Sequence, residues 1–257
     1  IYKSTSFKDI IGKVDAVSIV TPTITHFSIA KYFLENKVHV LLEKPMTESV
    51  SEARKLNVIA KNNRCILQIG HLEQFNPAIR KLKCQLKAPE FIEVHRLCEF
   101  NPRATDVDVV LDLMIHDIDI VLSLIDKNIK KISVSGKKVI TNLIDIANVR
   151  IEFEDNVVAN LTASRISTKN ERKMRIFLKN AYYSVDFMSN ELKRLMKNKN
   201  NSFKTTSFQF KKSDSLNEEI KNFINTCQGR EKSMTSGECG LKALIIAKKI
   251  TRNLSKK

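Results

Sequence analysis

Long hydrophobic runs are missing from this sequence, and none approaches the ~20 apolar residues that a membrane-spanning helix requires. The first residues, 1–5, lack the basic-then-apolar order of a signal peptide. The five cysteines are scattered without a C-x-x-C pair, which disfavours disulfides and zinc sites and favours reduced thiols. We therefore predict a cytoplasmic protein with no membrane partner and no bound metal.

Acidic residues are also few, because 28 Asp and Glu stand against 44 Lys and Arg and leave a formal charge of +16. A basic excess is compatible with nucleic acid, an anionic membrane or an anionic small ligand. The basic residues are spread along the chain, and no recognisable nucleic-acid motif accompanies them. A nucleic-acid-binding protein is therefore the weakest alternative, and we predict no nucleic-acid partner.

The first part of the chain alternates short apolar runs with segments of helical periodicity. The runs predict buried strands and the segments between them predict helices, with Thr25 as a candidate cap and with Ser49 and Glu52 as a candidate capping box. These strands are continuously apolar instead of alternating, which is typical of a parallel sheet covered on both faces. The predicted strands are 15–20, 38–42 and 65–69, and the predicted helices are 25–36 and 49–62.

The second part of the chain changes character after a junction near residues 70–76. Several strand candidates follow one another with short turns between them, which predicts an antiparallel meander. We therefore predict an α/β domain with a parallel sheet in residues 1–73 and an α+β domain with a large open antiparallel sheet in residues 74–257. The predicted strands of the second domain are 91–98, 132–139, 144–153, 156–163, 173–178 and 182–187, and its predicted helices are 76–85, 107–125, 216–226 and 237–254.

Unusual residues fall at the predicted carboxyl ends of the parallel strands, where open sheets bind their ligands. They are Thr21-Pro22, Glu43-Lys44-Pro45 and Gly70-His71. Pro45 biases Lys44 towards an extended backbone, which would fix its ammonium group at the rim of the sheet. Lys44 could bind an anionic cofactor group or act in acid–base chemistry, and the alternative is a solvent-exposed loop lysine.

The predicted helix 107–125 is apolar nearly all round, which predicts burial, yet polar residues interrupt it along one stripe. Buried carboxylates and imidazoles are costly unless they are paired or functional. Asp112 lies one turn before His116, so it could orient the ring as a general acid–base histidine requires. The alternative is a structural Asp–His pair, and a metal site is disfavoured because D-x-x-x-H supplies only two ligands. The stripe consists of Asp108, Asp112, His116 and Asp119, and Asp117 lies off it.

Three segments together resemble the Gfo/Idh/MocA oxidoreductases in order, spacing and context. They are residues 17–26, Glu43-Lys44-Pro45, and Asp112-x-x-x-His116-x-x-Asp119. The resemblance covers essentially the whole chain, including residues 238–244 in the closing helix. Residues 70–78 are most similar to the branch that oxidises position 3 of UDP-N-acetylglucosamine or its uronic acid, although that branch usually has Arg where Gln74 stands.

The resemblance implies hydride transfer between a sugar carbon and C4 of the nicotinamide of NAD or NADP. The motif lysine corresponds to Lys44, beside the nicotinamide and the substrate hydroxyl. The D-x-x-x-H pair corresponds to Asp112 and His116, where His116 takes the hydroxyl proton. A sugar or UDP-sugar substrate is implied, and so is a dimer or tetramer built by the second-domain sheet. The residues that would line the cofactor are Thr21, Pro22, His26, Glu43 and Lys44.

The family begins with a glycine-rich turn, G-x-G-x-x-G, that seats the pyrophosphate of the cofactor. The six glycines of this sequence include no group with that spacing. We therefore expect an incomplete Rossmann-like first domain, in a fragment of a complete enzyme or the product of a degraded or split gene, with impaired activity. The alternative is a non-catalytic remnant that acts only as an oligomerisation or binding module.

Overall fold

A computed structural model describes residues 2–101, 107–198, 200–211 and 214–255 of the chain. The chain divides into two compact units, of which the first comprises Ile1–Gln74 with Asp214–Ile245 and the second comprises Phe75–Ser213 with Ile246–Lys257. Residues 214–245 therefore belong to the unit that contains the start of the chain. Within the described residues, every helix is too short or too polar to span a bilayer.

The first unit contains a three-stranded parallel sheet in the order β1-β2-β3. Parallel strands need crossover connections, and a helix supplies each of them here. The predicted burial holds for β2 and β3, where Val40, Leu42 and Ile69 are 0% exposed, whereas Ile19 is the one buried residue of β1. The elements are β1 (Ala16–Ile19), α1 (Thr23–Glu35), β2 (His39–Leu42), α2 (Val50–Asn62) and β3 (Leu67–Ile69).

The two predicted helix caps have different outcomes. At the start of α2, the Ser49 hydroxyl accepts from the Glu52 N–H and the Glu52 carboxylate accepts from the Ser49 N–H, which confirms the capping box. The prediction that Thr25 caps α1 is wrong, because α1 begins at Thr23. The Thr25 hydroxyl instead donates to the Pro22 carbonyl at 2.8 Å, since a threonine inside the first turn can reach a carbonyl oxygen three residues back.

The second unit is built on an eight-stranded sheet in the order β11-β10-β9-β8-β4-β7-β6-β5. The prediction of a large open sheet is confirmed, but one pair of neighbours, β4 and β7, is parallel. These two strands are far apart in the sequence, which leaves room for the long connection that a parallel pair needs. The elements are α3 (Pro77–Gln85), β4 (Phe91–Leu97), β5 (Ile129–Lys137), β6 (Ile146–Phe153), β7 (Val158–Ser164), β8 (Glu171–Leu178), β9 (Ala181–Asp186), β10 (Glu191–Lys197) and β11 (Phe203–Gln209).

The sequence did not predict β10 and β11, which lie at one edge of this sheet. Both strands are rich in lysine and polar residues, and β11 is largely exposed. Edge strands commonly carry charged side chains that block pairing with other chains, so the apolar alternation of an inner strand is lost. The predicted polar loop, 198–202, is the connection between these two strands.

The long apolar helix is not continuous, and the prediction of one α-helix over 107–125 is wrong in its first half. Residues Val110–Met114 form a π-helix, and α4 (Ile115–Leu124) follows directly. Most apolar residues of both parts are buried as predicted, whereas Leu113, Leu122 and Leu124 are half-buried. Asp108 does not belong to a helical stripe, because its Oδ1 accepts from the Val110 and Leu111 N–H groups at 2.9 and 3.0 Å.

Residues from the last third of the chain cover the free edge of β3. The Ile69 N–H donates to the Thr235 carbonyl at 2.7 Å, and the Gln68 side chain donates to the Glu219 carbonyl at 3.3 Å. A Cβ atom on Gly240 would lie 2.5 Å from Ile69 Cγ1, so this close approach requires glycine. The helices of this region are α5 (Ser215–Cys227) and α6 (Gly237–Leu254).

Candidate functional site

The backbone at the carboxyl ends of the three parallel strands is held by continuing hydrogen bonds. The Glu43 N–H donates to the Ile19 carbonyl at 3.1 Å, and the Gly70 N–H donates to the Leu42 carbonyl at 2.8 Å. Lys44, which follows Glu43, is half-buried instead of fully exposed, and its peptide bond to Pro45 is cis. The predicted strand-end segments therefore lie next to one another at the carboxyl-terminal end of the parallel sheet.

The His26 ring ties two of these strand ends together. His26 is 1% exposed, its Nδ1 lies 2.9 Å from the Pro45 carbonyl, and its Nε2 lies 2.8 Å from the Thr21 carbonyl. The Thr25 hydroxyl adds a 2.8 Å bond to the Pro22 carbonyl and a 2.7 Å bond to the Thr21 hydroxyl. His26 thus fixes the loops after β1 and β2, and its contact with a cofactor stays a prediction.

Gly70, which has no side chain, leaves room for the Glu43 carboxylate next to the end of β3. A Cβ atom on Gly70 would lie 2.9 Å from Glu43 Oε2 and 3.2 Å from Oε1, which is closer than such contacts normally come. The same Oε2 accepts the Lys44 N–H at 3.2 Å. The absence of a side chain at Gly70 therefore allows Glu43 to fold back beside the backbone of Lys44.

A further carboxyl group in the first unit, that of Glu219 in α5, was missed by the sequence analysis. Glu219 is 1% exposed, and burial, followed by the negative charge of Glu43, raises its pKa to about 8. Glu219 therefore holds a proton at neutral pH. Amphipathic spacing did not single out Glu219, because the buried face of α5 is mostly polar. This helix buries Glu219, Asn222, Phe223 and Thr226 and exposes Leu216, Ile220 and Ile224.

In the second unit, Asp112 and His116 stand on either side of the change from π- to α-helix. Asp112 lies within the π-helix and His116 within the first turn of α4, and both are half-exposed in an otherwise buried segment. Single π-helical turns occur frequently at functional sites, where they alter the placement of side chains. The pairing of Asp112 with His116 stays a prediction.

Asp117, which the sequence analysis placed off the polar stripe, forms a buried ion pair. It is 1% exposed, and Arg96 of β4, which is 3% exposed, donates to both of its oxygens. Arg96 Nε lies 2.9 Å from Oδ2, and Nη2 lies 2.8 Å from Oδ1. The partners are far apart in sequence, so no local signal in the helix could have identified the pair.

Cys98, just after β4, belongs to the same neighbourhood as Asp112. Burial raises the pKa of the Cys98 thiol, and the charge of Asp112 raises it further, against a smaller lowering by three nearby arginines. A thiol that stays protonated is a poor nucleophile. This favours a structural role for Cys98 over a catalytic one. All five cysteines, each within the described ranges, are free.

Metal ligation has no candidate in the described part of the chain, where no group of three or more His, Cys, Asp or Glu side chains is arranged to hold an ion. The two groups of residues offer one ammonium, one imidazole and several carboxyls. An ammonium and an imidazole suit proton transfer and the polarisation of a hydroxyl group.

Comparison with known proteins gives two family matches and a close relative. Residues 2–71 match the oxidoreductase family with an NAD-binding Rossmann fold, and residues 81–184 match the Gfo/Idh/MocA C-terminal domain. The UDP-N-acetylglucosamine 3-dehydrogenase of Acidithiobacillus ferrooxidans is 36% identical over 244 residues, which cover 93% of this chain and 78% of the relative. The scyllo-inositol 2-dehydrogenase (NAD(+)) of Bacillus subtilis is 29% identical over 170 residues, or 60% of this chain and 49% of that protein.

Solved structures agree with these matches. The A. ferrooxidans enzyme superposes with a TM-score of 0.92 at 35% identity, over 98% of this chain and 82% of the other. An inositol dehydrogenase homolog from Azotobacter vinelandii, complexed with NADH and myo-inositol, superposes with a TM-score of 0.82 at 16% identity. The superposition covers 94% of this chain and 76% of the homolog, and it supports the fold alone. The predicted fold class and the NAD cofactor class are confirmed, and an enzyme is favoured over a non-catalytic module. The chain belongs to the Gfo/Idh/MocA family of NAD-binding oxidoreductases.

Proposed function

We propose that this protein oxidises a secondary hydroxyl of a sugar nucleotide, at a position equivalent to the 3-hydroxyl of UDP-N-acetylglucosamine. The observation that carries the proposal is the 36% identity to a UDP-N-acetylglucosamine 3-dehydrogenase over 93% of the chain. An anionic substrate of this kind suits a chain with a formal charge of +16. Gln74, where that branch of the family usually has Arg, is the residue at which the substrate preference would differ.

The strand ends of the first unit suit the nicotinamide end of the cofactor. Thr21, Pro22, His26 and Glu43 would line the cofactor together with Lys44. The observation that supports this fit is the space at Gly70, which a Cβ atom would fill and which Glu43 occupies instead. Polar groups and a bare backbone at the carboxyl ends of parallel strands are typical of dinucleotide sites.

Two groups of this chain would carry the proton chemistry of the oxidation. When bound, NAD or NADP accepts a hydride at C4 of its nicotinamide ring. His116 would accept the proton of the substrate hydroxyl, and Asp112 would orient the imidazole and stabilise its charged form. By the family resemblance, Lys44 would donate a hydrogen bond to the substrate and stabilise negative charge that develops as the C–H bond breaks. The carbon is oxidised to a carbonyl and the cofactor is reduced.

The protein is further proposed to act in the cytoplasm as a dimer or tetramer. Five free cysteines support a reducing compartment. An aromatic cluster on the large sheet supports self-association, because Phe177 is 38% exposed and lies between Phe91 and Tyr182, with ring centroids 5.7 and 5.0 Å away. Exposed aromatic groups are enriched at protein interfaces.

The test is reduction of NAD and NADP with a panel of UDP-sugars, followed by absorbance of the reduced nicotinamide. Because the sequence lacks a glycine-rich fingerprint, the panel is run on this chain alone and on this chain mixed with a glycine-rich βαβ segment. We expect turnover of a UDP-N-acetylhexosamine, and Lys44→Met and His116→Gln to reduce kcat/KM by about 10²–10⁴-fold.

The matched control is Lys55→Met, which removes an exposed lysine of the same unit. It should keep the wild-type kcat/KM, and circular dichroism should confirm that all variants fold. Wild-type turnover by Lys44→Met would refute the role of Lys44. If the chain neither binds cofactor nor turns over substrate, both alone and when mixed with the glycine-rich segment, the proposed dehydrogenase activity itself is refuted.

A further inference from the structure

Arg96 fixes the helical segment that carries Asp112 and His116 just after the histidine, through Asp117 in the first turn of α4. Asp117, the residue after His116, accepts both hydrogen bonds of the guanidinium fork, at 2.9 Å from Nε and 2.8 Å from Nη2. Both side chains are at least 96% buried, so water cannot compete for this pair. Asp117 is adjacent to His116 in the chain, so this contact anchors the backbone next to the histidine.

The amino end of the same segment is fixed by a second buried arginine. Arg165 Nη2 donates to the Val107 carbonyl at 2.6 Å, just before the π-helix. Arg165 Nε lies 3.8 Å from Asp145, and the two side chains are 3% and 0% exposed. Val109 is tied to the same region, because its N–H donates to the Ile144 carbonyl at 3.0 Å.

Asp145 is itself held in place as a charged group. Burial alone would raise its pKa, but hydrogen bonds from the Thr141 hydroxyl and from the backbone N–H groups of residues 139–141 lower it far below the usual value. The carboxylate therefore stays ionised at every pH at which the protein would work. This gives Arg165 a permanent counter-charge.

We propose that Arg96 and Arg165 are positioning residues, which hold the two ends of residues 107–117 and thereby set where Asp112 and His116 lie. The proposal rests on the proposed function, since it takes these two residues as the acid–base pair. A π-helix is rare and needs its surroundings to maintain it, and the two arginine contacts lie on either side of Val110–Met114. A lysine ammonium cannot reproduce the fork by which Arg96 donates to both Asp117 oxygens, nor can it span the two contacts that Arg165 makes with the Val107 carbonyl and with Asp145.

The test replaces the arginine fork by a lysine ammonium, with Arg96→Lys and Arg165→Lys in separate proteins. Each is compared with the wild type in kcat and KM for UDP-N-acetylglucosamine and NAD, and in the NMR titration midpoint of His116. We expect kcat to fall about 10–100-fold while KM changes less than about threefold, because misplacement affects the reacting geometry and not ground-state binding. The midpoint of His116 should move by about half a pH unit or more as its distance from Asp112 changes.

The matched control is Arg175→Lys. Arg175 pairs with Glu93 at 2.9 Å between β8 and β4, and it is 39% exposed. This variant makes the same guanidinium-to-ammonium exchange in the same sheet, at a partly exposed pair, and should match the wild type in both readouts. If Arg96→Lys does not fold, Asp117→Asn and Arg165→Lys supply the same comparison at the two ends of the segment.

The proposal is overturned if the folded variants melt at a lower temperature yet keep the wild-type kcat and the wild-type His116 midpoint, since the arginines would then be structural only. Its failure differs from failure of the proposed function. A wild-type chain that neither binds cofactor nor turns over would refute the dehydrogenase, and the His116 midpoint would still decide whether the arginines position the histidine.

Discussion

Single buried carboxyl groups of this protein differ in what surrounds them, and this determines their charge. Asp117 and Asp145 face guanidinium groups or hydrogen-bond donors, whereas Glu219 is buried near Glu43. Donors and cations favour the ionised form, while burial and a like charge favour the neutral form. Carboxylates that face donors or cations therefore stabilise the fold when ionised. A carboxyl such as Glu219, which is buried near a like charge, makes the fold less stable as pH rises.

Glu219→Gln should reduce the loss of stability between about pH 5 and about pH 8. In the unfolded chain Glu219 ionises near the ordinary glutamate pKa of 4.5, but in the folded protein it keeps its proton up to about pH 8. The folded state therefore binds more protons in this window, so the free energy of unfolding falls as pH rises, by up to ~1.4 kcal/mol per pH unit. Its stabilising contribution is complete below the unfolded pKa and is lost by the folded pKa. A glutamine side chain does not ionise in this range, so the variant should lack the contribution of Glu219 to the pH dependence of the free energy of unfolding.

The measurement is urea unfolding of wild type and variant at several pH values in that window. Glu218→Gln is the control, because Glu218 lies in the same turn and its side chain is 39% exposed. It should keep the wild-type slope. Equal slopes for wild type and Glu219→Gln would contradict a neutral Glu219.

The residues that the sequence could identify are those in local motifs. Glu43-Lys44-Pro45 follows an apolar strand, and Asp112 and His116 interrupt an apolar helix, so each stands out against its own neighbours. Arg96 and Glu219 do not stand out, because their importance comes from partners more than 20 residues away in the chain. Such pairs become visible only when the fold brings the elements together.

Among the secondary-structure elements, the start of α2 offers a direct test of a cap. Ser49→Ala removes the side-chain acceptor of the Glu52 N–H and should lower the free energy of unfolding by about 1 kcal/mol. Ser51→Ala, in the exposed first turn of the same helix, should be nearly neutral. Denaturant unfolding of both variants measures the difference, and equal losses would mean that the capping box contributes nothing.

Whether a segment is a helix or a strand could be predicted from its apolar periodicity wherever burial alone fixed its composition. The apolar strands β1 to β3 and helices α1 and α2 were predicted because burial on a parallel sheet fixes their composition. The π-helix at Val110–Met114 was missed because one extra residue in a helical turn leaves the apolar pattern nearly unchanged. Strands β10 and β11 were missed because the edge strand β11 and its neighbour β10 bury almost no residues, so apolar side chains are not required there.

For the molecule as a whole, the open face of the eight-stranded sheet is where association between copies is expected. Phe91, Phe177 and Tyr182 are register partners on β4, β8 and β9, so their side chains share one face. An aromatic group of this size on an exposed sheet face gains free energy when a second surface covers it. The proposed dimer or tetramer would bury it.

Phe177→Glu should therefore raise the dissociation constant of the oligomer by about 30-fold or more, which corresponds to ~2 kcal/mol at an interface hot spot. A carboxylate at this position would be desolvated between two aromatic rings, whereas Phe177 is covered favourably. Light scattering coupled to gel filtration measures the mass over a dilution series. Phe203→Glu is the matched control, because Phe203 is 67% exposed on the edge strand β11 and lies outside the cluster. A wild-type monomer, or an undiminished oligomer of Phe177→Glu, would contradict assembly through this face.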